Sequence, residues 1–358
     1  MKKVDILLLS VVTFLTIFGV LMIYDASSVR AFIDFNGDKY HYLHDQGIWV
    51  ILGFFVLIIS SFFDYHRLYN LALPLLVVAL VCLILVFLPG IGAGARGSNR
   101  WLDLHFMRFQ PAEFVKLSLA IYLSAWFSNR EAGRFFAFSL LVGIILLLVI
   151  LEPDLGTASI ILSEAAIVYF LSGGSIKNFI ISIPILGLLW FAIIKLEPYR
   201  ASRLTSFLNL TKSLDNVDYH VKQILIALGS GGIFGLGIGN SQQKYGYLPE
   251  SMTDAIFPII AEELGFVGAN IIILLFIIVV WRGFVIAMRA KDKFGKLLAA
   301  GIISFLGVQM VINLGAMTML FPLTGVPLPF ISYGGSALLV DMASVGILLN
   351  ISKQMNKK

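Results

Sequence analysis

The sequence predicts an all-α, polytopic membrane protein of about ten transmembrane helices, and two observations carry that prediction. Hydrophobic residues fill 59% of the 358 positions and charged residues only 13%, which gives a mean hydropathy of +0.92. A soluble core cannot bury so much apolar surface, so most of it must face lipid. The chain also divides into about ten apolar runs, each near the ~20 residues that a helix needs to cross a bilayer.

The apolar runs define the helices in order. We place the membrane spans near residues 5–24, 46–63, 70–89, 111–127, 135–151, 156–171, 178–195, 255–281, 298–320 and 334–351. The first run follows Lys2 and Lys3 and precedes small residues, as in a signal peptide, but it is long for one. We therefore interpret it as the first membrane helix.

Basic residues in the short segments between spans predict the orientation. If the two termini share a side, that side carries Lys2, Lys3, Arg67, Arg130, Arg134, Lys177, Arg282, Arg289, Lys291, Lys293, Lys296, Lys353, Lys357 and Lys358. The positive-inside rule makes this side cytoplasmic. We thus expect one integral membrane domain over residues 1–358, with both termini cytoplasmic. Its large extracytoplasmic loop, residues 196–254, lies between helices 7 and 8.

Several classes of protein are excluded. The single cysteine, Cys82, leaves no disulfide framework and no cysteine-rich metal site. The pI near 9.2 arises from basic residues at loop ends, where they set orientation and meet lipid headgroups, so no nucleic-acid partner is expected. No GxxxxGK[ST] string is present, and no nucleotide cofactor is expected.

Asp254 is the candidate catalytic base. It lies where the polar segment 248–253 meets the apolar run of residues 255–281. A carboxyl at the mouth of a membrane helix loses part of its hydration, which raises its pKa toward values useful for proton abstraction.

Five strings in the predicted extracytoplasmic regions carry a resemblance. They are GARGSNRW (residues 94–101), FQPAEFVK (109–116), EPDLGT (152–157), LPESMTDAIFPIIAEELGFVG (248–268) and GVPLPFISYGGS (325–336). In this order they resemble the SEDS proteins, the RodA, FtsW and SpoVE family of peptidoglycan glycosyltransferases. The chain departs from the family pattern at residues 207–210, which read FLNL where the family usually has FLDP. Gln243 and Lys244 slightly favour the FtsW-like branch.

The resemblance implies an activity and its partners. A SEDS protein polymerises lipid II into β-1,4 glycan strands on the outer face of the bacterial cytoplasmic membrane, and undecaprenyl diphosphate is the leaving group. The substrates would be lipid II and an undecaprenyl-diphosphate-linked glycan in contact with membrane lipids. The expected protein partner is a class B penicillin-binding protein, a transpeptidase. A divalent cation, Mg²⁺ or Mn²⁺, would assist the leaving group.

The same resemblance implies the residues of the site. Asp254 would act as general base, and Asp154 and Asp254 would hold the cation. The expected substrate-binding residues are Arg96, Arg100, Trp101, Gln110, Glu113, Lys116, Asp154, Arg203, Lys244, Glu250 and Ser332.

Structural interpretations of these residues remain open. Glu113 and Lys116 are three positions apart on a helix and would form an ion pair with or without a role toward substrate. Asp154 would cap the helix that begins near Leu155. The exterior arginines suit the oxygens of a diphosphate, but they equally suit ordinary lipid headgroups.

Two other functions fit the same composition. A lipid II flippase or transporter would also need many helices, a polar cavity and charges within the membrane. A non-catalytic scaffold that activates a partner synthase is the second alternative. Glycan product from the purified chain would distinguish the enzyme from both.

Overall fold

The structure, a computed structural model, describes residues 4–95, 98–103, 108–129, 135–178, 198–209 and 218–355, with isolated positions 180, 181, 184 and 187. The helices in these residues are α1 (Ile6–Asp34), α2 (His41–Phe62), α3 (His66–Leu85), α4 (Pro111–Ser128), α5 (Phe135–Leu151), α6 (Leu155–Leu171), α7 (Pro198–Asn209), α8 (Tyr219–Ser230), α9 (Ile256–Arg289), α10 (Lys293–Met317) and α11 (Gly335–Gln354). The strands are β1 (Gly92–Ala95), β2 (Ser98–Asp103) and β3 (Arg108–Phe109).

The predicted spans correspond to these helices. Six of the described helices, α1, α2, α3, α9, α10 and α11, are long and apolar enough to cross a membrane. Helices α5 and α6 are apolar but have 17 residues each, and α4 has 18. The seventh predicted span, 178–195, lies almost entirely outside the described residues. The prediction of a polytopic, helical integral membrane protein is confirmed.

Aspartates begin several of these helices. Asp5, Asp154 and Asp292 accept hydrogen bonds from Leu8 N, Thr157 N and Gly295 N, at 3.0, 3.0 and 2.9 Å. Each bond satisfies one of the backbone N–H groups that the first turn of a helix leaves without a partner.

Helices α10 and α11 form the centre of the fold. In their most apolar stretches 78% of the residues are buried, against 22% in α2 and 28% in α3. A helix that is buried on nearly all sides packs against protein, whereas α2 and α3 present apolar faces outward, as lipid-facing helices do. The buried side chains that lie beneath the candidate site therefore come largely from α10 and from its neighbour α4.

A small sheet precedes α4 and was not predicted from the sequence. β1 pairs with β2, and β2 with β3, both antiparallel. Two hydrogen bonds fasten this sheet to the start of α11: Gln110 N donates to Ser336 Oγ at 3.1 Å, and Ser336 Oγ donates to Arg108 O at 3.3 Å. The sheet thereby fixes Arg100 and Trp101 above the membrane helices.

The loop segment at residues 232–237 is folded around a break in α9. Gly265 has φ 68° and ψ −171°, which interrupts the helix, and residues 232–237 bond to the backbone that the break exposes. Leu236 N and Gly237 N donate to Glu262 O and Glu263 O, both at 3.0 Å. A Cβ at Gly235, itself at φ 82°, would lie 2.0 Å from Glu263 O, so only glycine permits this close approach.

Candidate active site

A cavity of about 560 Å³ lies where the loops that precede α4, α6, α9 and α11 meet the helix ends. The described residues that line it are Arg100, Trp101, Gln110, Glu113, Asp154, Thr157, Arg203, Ser206, Asp218, His220, Val221, Pro249, Glu250, Thr253, Asp254, Leu323, Gly325, Pro327, Tyr333, Gly334 and Ala337. Eight of the residues predicted from the sequence are among them: Arg100, Trp101, Gln110, Glu113, Asp154, Arg203, Glu250 and Asp254. Segments far apart in the sequence therefore converge as the motifs indicated.

Asp254 lies in the cavity wall two residues before α9, with 6% of its surface exposed. Burial, and to a smaller extent the nearby Glu250 carboxylate, raise the pKa of its carboxyl to about 6, while the Arg203 guanidinium acts in the opposite direction. Thr253 Oγ1 donates to Asp254 Oδ1 at 3.2 Å. At neutral pH the carboxyl is therefore mostly ionised and still basic enough to take a proton.

Asn313, on α10, holds the backbone beneath Asp254. Its Nδ2 donates to Asp254 O at 2.8 Å and to Val326 O at 2.7 Å, so one amide group joins two loops at the cavity floor. One turn earlier, Gln309 Nε2 donates to Pro327 O at 3.0 Å. Both residues are polar groups within the predicted apolar span 298–320, and their partners depend on tertiary packing.

Glu113 and Lys116 form the predicted ion pair, with 2.7 Å between Glu113 Oε2 and Lys116 Nζ. Lys116 is fully buried and also donates to Gln309 Oε1 at 2.5 Å. Glu113 lines the cavity, whereas Lys116 lies outside the lining. Lys116 therefore holds Glu113 and Gln309 in place and does not itself line the cavity.

Asp154 has the structural role that the sequence also allowed. Its Oδ1 accepts from Thr157 N at 3.0 Å, and its Oδ2 accepts from Thr157 Oγ1 at 2.9 Å and Gln110 Nε2 at 3.4 Å. Beside it, burial raises the pKa of Glu152 to about 8, and the charge of Asp154 adds to this effect. Asp154 thus caps α6 and lines the cavity at the same time.

Two arginines reach the cavity from opposite loops, and backbone carbonyls hold both. Arg100 donates from Nε to Glu152 O at 2.9 Å and from Nη2 to Pro153 O at 2.5 Å. Arg203 donates from Nη1 to Leu323 O at 2.9 Å. Because these bonds fix each guanidinium, the cavity has two cations in defined positions.

Besides Lys116, three predicted substrate-binding residues do not reach the cavity or cannot be placed. Lys244 is 6% exposed and bonds to Asp25 Oδ1 at 2.8 Å and Gly239 O at 2.5 Å. Ser332 is buried and its Oγ accepts from Leu328 N at 2.8 Å. Both side chains are used in structure, which residue type alone does not reveal. Arg96 lies outside the described residues.

Several residues of the cavity were not predicted from the sequence. Tyr333 donates to Asp45 Oδ2, which joins the last loop to α2, and burial raises the pKa of its hydroxyl. Burial likewise lowers the pKa of His220, at the start of α8. Tyr333 was within a quoted motif and could have been named, whereas His220 and Asp218 stand in no motif that was recognised.

The predicted cation has a limited set of ligands. Among the described residues, no three His, Cys, Asp or Glu side chains are grouped to hold a metal ion. Asp154 and Asp254 both line the cavity, and Mg²⁺ in proteins is often bound by one or two carboxylates together with substrate phosphates. The pair thus fits a cation only if the substrate supplies further oxygens, and the metal stays a prediction.

The chain is similar to known proteins over nearly its full length. A family model described as "Cell cycle protein", FTSW_RODA_SPOVE, matches residues 5–357. The probable peptidoglycan glycosyltransferase FtsW of Geobacter metallireducens is 38% identical over 362 aligned residues, covering 99% of this chain and 96% of the relative. Stage V sporulation protein E of Bacillus subtilis is 38% identical over 360, covering 98% and 97%.

Solved structures show the same fold. The rod shape determining protein RodA of Thermus thermophilus aligns with a TM-score of 0.73 at 26% identity, covering 99% of both chains. A chain from a structure described as "Structural coordination of polymerization and crosslinking by a peptidoglycan synthase complex" aligns with a TM-score of 0.80 at 27% identity, covering 98% of both chains. The chain therefore belongs to the FtsW, RodA and SpoVE family of cell cycle proteins.

Proposed function

We propose that this chain is an inverting peptidoglycan glycosyltransferase that polymerises lipid II with Asp254 as general base. Its relatives include proteins named as probable peptidoglycan glycosyltransferases, one of them 38% identical over nearly the full chain. The observation that carries the mechanism is the Asp254 carboxyl, buried in the wall of a polar cavity with its pKa raised to about 6. A base with a pKa near the working pH transfers protons efficiently.

The proposed reaction joins two lipid-linked sugars. The C4 hydroxyl of the acceptor, lipid II, attacks the anomeric carbon of the growing donor chain, and its proton passes to Asp254. The bond between that carbon and the diphosphate oxygen breaks, and its electron pair leaves with undecaprenyl diphosphate. Attack from the opposite face inverts the carbon and gives the β-1,4 linkage. The donor's own phosphate ester supplies the free energy, so the step needs no nucleotide.

The cations of the cavity act on the leaving group. Arg100 and Arg203 line the cavity, and a guanidinium can donate two parallel hydrogen bonds to phosphate oxygens. Charge that develops on the diphosphate is thus stabilised by groups already fixed in place. Asp154 and Asp254 would hold a divalent cation, which would supply further positive charge for the leaving group.

The cavity is assigned to the outer face of the membrane. Its loops precede α4, α6, α9 and α11, on the side opposite to the basic segment at residues 282–296. The positive-inside rule supports cytoplasmic termini on that basic side. The substrate would then be lipid II already displayed outside a bacterial cytoplasmic membrane.

The expected partner is a class B penicillin-binding protein. The structural neighbour with a TM-score of 0.80 comes from a complex described as coordinating polymerization and crosslinking. A polymerase of this family would pass glycan strands to a transpeptidase. Within the family, the relatives from Geobacter metallireducens and Bacillus subtilis favour the FtsW-like and sporulation branches.

A flippase remains the second candidate because charged groups occur deep in the membrane helices. Glu164 and Asp341 are both buried, and neither carboxylate oxygen of Glu164 has a hydrogen-bond partner among the described residues. Polar groups at such depth often mark transport pathways. A flippase would move lipid without making glycan, and a scaffold would do neither alone.

Purified protein in detergent or vesicles, supplied with lipid II, separates the three functions. We expect glycan strands from the chain alone or from the chain with an inactive partner transpeptidase. Lipid movement without polymer would support the flippase, and polymer made only by an active partner synthase would support the scaffold. EDTA in a parallel reaction tests the predicted cation.

A further inference from the structure

A second cavity, of about 460 Å³, adjoins the candidate active site. Apolar side chains form most of its described lining, among them Leu155 on α6, Leu204 on α7 and Ile312 on α10. Arg100 and Arg203 line both this cavity and the active-site cavity, so they stand at the boundary between the two. A polar and an apolar chamber therefore meet at two arginines, which matches the chemistry of a lipid diphosphate.

The boundary is close to the proposed base. The position that a Gly325 Cβ would occupy is 3.9 Å from Arg203 Nη1 and 3.9 Å from Asp254 Oδ2. The guanidinium and the carboxylate thus lie within about 8 Å of each other. Both substrates carry a diphosphate, and this distance indicates which of the two diphosphates lies at Arg203. The donor's diphosphate is bonded to the carbon under attack, whereas the acceptor's lies a whole disaccharide away from its reacting hydroxyl.

The arginine side chains are also held in positions that suit the binding of an anion. Two N–H groups of Arg100 bond to Glu152 O and Pro153 O. An arginine carries five N–H donors, so further donors remain for phosphate oxygens. Pre-positioned donors lose little conformational freedom when they bind.

We propose that the lipid half of the donor binds here: the diphosphate lies at Arg100 and Arg203, and the first isoprene units fill the apolar cavity between α6, α7 and α10. This assignment rests on the proposed glycosyltransferase function. A third cavity, of about 540 Å³, opens on the other side of the active site beside Trp49 and Trp101. The acceptor would then bind on the side of Trp49 and Trp101.

The first test fills the apolar cavity without touching the base. Ser159 lines the cavity on α6, and its Oγ donates to Leu155 O at 2.8 Å. Ser163, one turn later, makes the same bond to Ser159 O at 2.8 Å but does not line the cavity. Ser159→Phe and Ser163→Phe are therefore a matched pair of half-buried serines on one helix.

The assay separates donor from acceptor. Lipid II with a methylated C4 hydroxyl on its terminal sugar can donate but cannot accept, and its coupling to unmodified lipid II is measured in the wild type and both variants. We expect Ser159→Phe to raise the half-saturating donor concentration at least tenfold, with acceptor saturation and Ser163→Phe unchanged. An unchanged donor value, or an acceptor value raised instead, would overturn the assignment.

The second test does not depend on turnover. A farnesyl diphosphate with a photoreactive benzophenone at its far end is crosslinked to the wild-type protein, and the labelled peptides are identified by mass spectrometry. We expect labels near residues 155–159, 204 and 312, and far weaker labelling by the matched farnesol without diphosphate. Labels beside Trp49 and Trp101, or equal labelling by farnesol, would refute the assignment. Glycan synthesis by the same preparation shows independently whether the proposed function holds.

Discussion

Two groups of charged side chains lie at the two ends of the first segment of α9, and they differ in what surrounds them. The open group, Asp254 with Glu250 and Arg203, borders the active-site cavity. The sealed group, Glu262 and Glu263 with Lys244 and Asp25, is enclosed by protein. Lys244 Nζ is 2.8 Å from Asp25 Oδ1 and 3.7 Å from Glu263 Oε1.

Groups of the loop at residues 241–242 donate hydrogen bonds to the two glutamates of the sealed group. Ser241 Oγ donates to Glu262, Gln242 N donates to Glu262 Oε1 at 3.2 Å, and Ser241 N donates to Glu263 Oε1 at 3.1 Å. Asp254, in contrast, accepts a side-chain bond from its neighbour Thr253. The comparison shows that similar charges have different roles. Where protein atoms supply the hydrogen-bond partners, the charge maintains structure. Where a cavity lies beside the carboxylate, the charge is available for substrate.

Breaking the sealed group should give the largest loss of stability. Lys244→Met leaves the buried Glu263 and the nearly buried Asp25 without their cation. Removing one partner of a buried ion pair lowers the free energy of unfolding by roughly 3–5 kcal/mol. We expect a much lower thermal midpoint in detergent and activity that falls only in proportion to folded protein. Lys296→Met, at an exposed position, is the control. An unchanged midpoint together with lost activity would instead place Lys244 at the substrate.

Removing the charge of the open group should have the opposite effect on stability. Because the folded-state pKa of Asp254 is raised from 3.8 to about 6, the folded protein holds this proton more tightly than the unfolded chain. Stability therefore falls as pH rises from about 4 to 6, by up to about 3 kcal/mol. Asp254→Asn should be more stable than wild type at pH 7 and equal at pH 4, whereas the exposed Asp38→Asn should change nothing. A destabilised Asp254→Asn at pH 7 would contradict this description of the open group.

The pH dependence of activity tests the same group. The ionised fraction of a base with a pKa of about 6 rises about tenfold from pH 5 to pH 7. We expect the initial polymerisation rate to follow that rise at constant folded protein and then to level off. A rate independent of pH over this range would show that proton transfer to Asp254 does not limit the reaction.

Thr253→Val should give the smallest effect. The Thr253 hydroxyl stabilises the Asp254 carboxylate, so its loss raises the pKa of that carboxyl. We expect the midpoint of the pH–rate curve to move upward by roughly half a unit. Thr205→Val, on the exposed face of α7, should leave the curve in place. A downward movement would mean that the hydroxyl does not stabilise the ionised form.

The membrane helices could be predicted from local apolar patterns, and eight of the residues that line the cavity could be named from the sequence and the family resemblance. Long apolar runs identify spans, and the quoted motifs contained Asp254, Glu113 and Arg100. The sheet was not foreseen, since its strands have only two to six residues, one of them with the sequence GAGA, and leave no readable alternation. The separation of Lys244 from the cavity was not foreseen either. It depends on the break at Gly265 and on a contact with Asp25, 219 positions earlier in the chain.

The general-base assignment is tested most directly by polymerisation of lipid II by wild type and Asp254→Asn at matched amounts of folded protein. A positioned general base contributes roughly 10²–10⁴-fold to rate, so we predict a loss of that size in a variant that remains folded. Equal glycan product from the two proteins would contradict the assignment of Asp254 as the base.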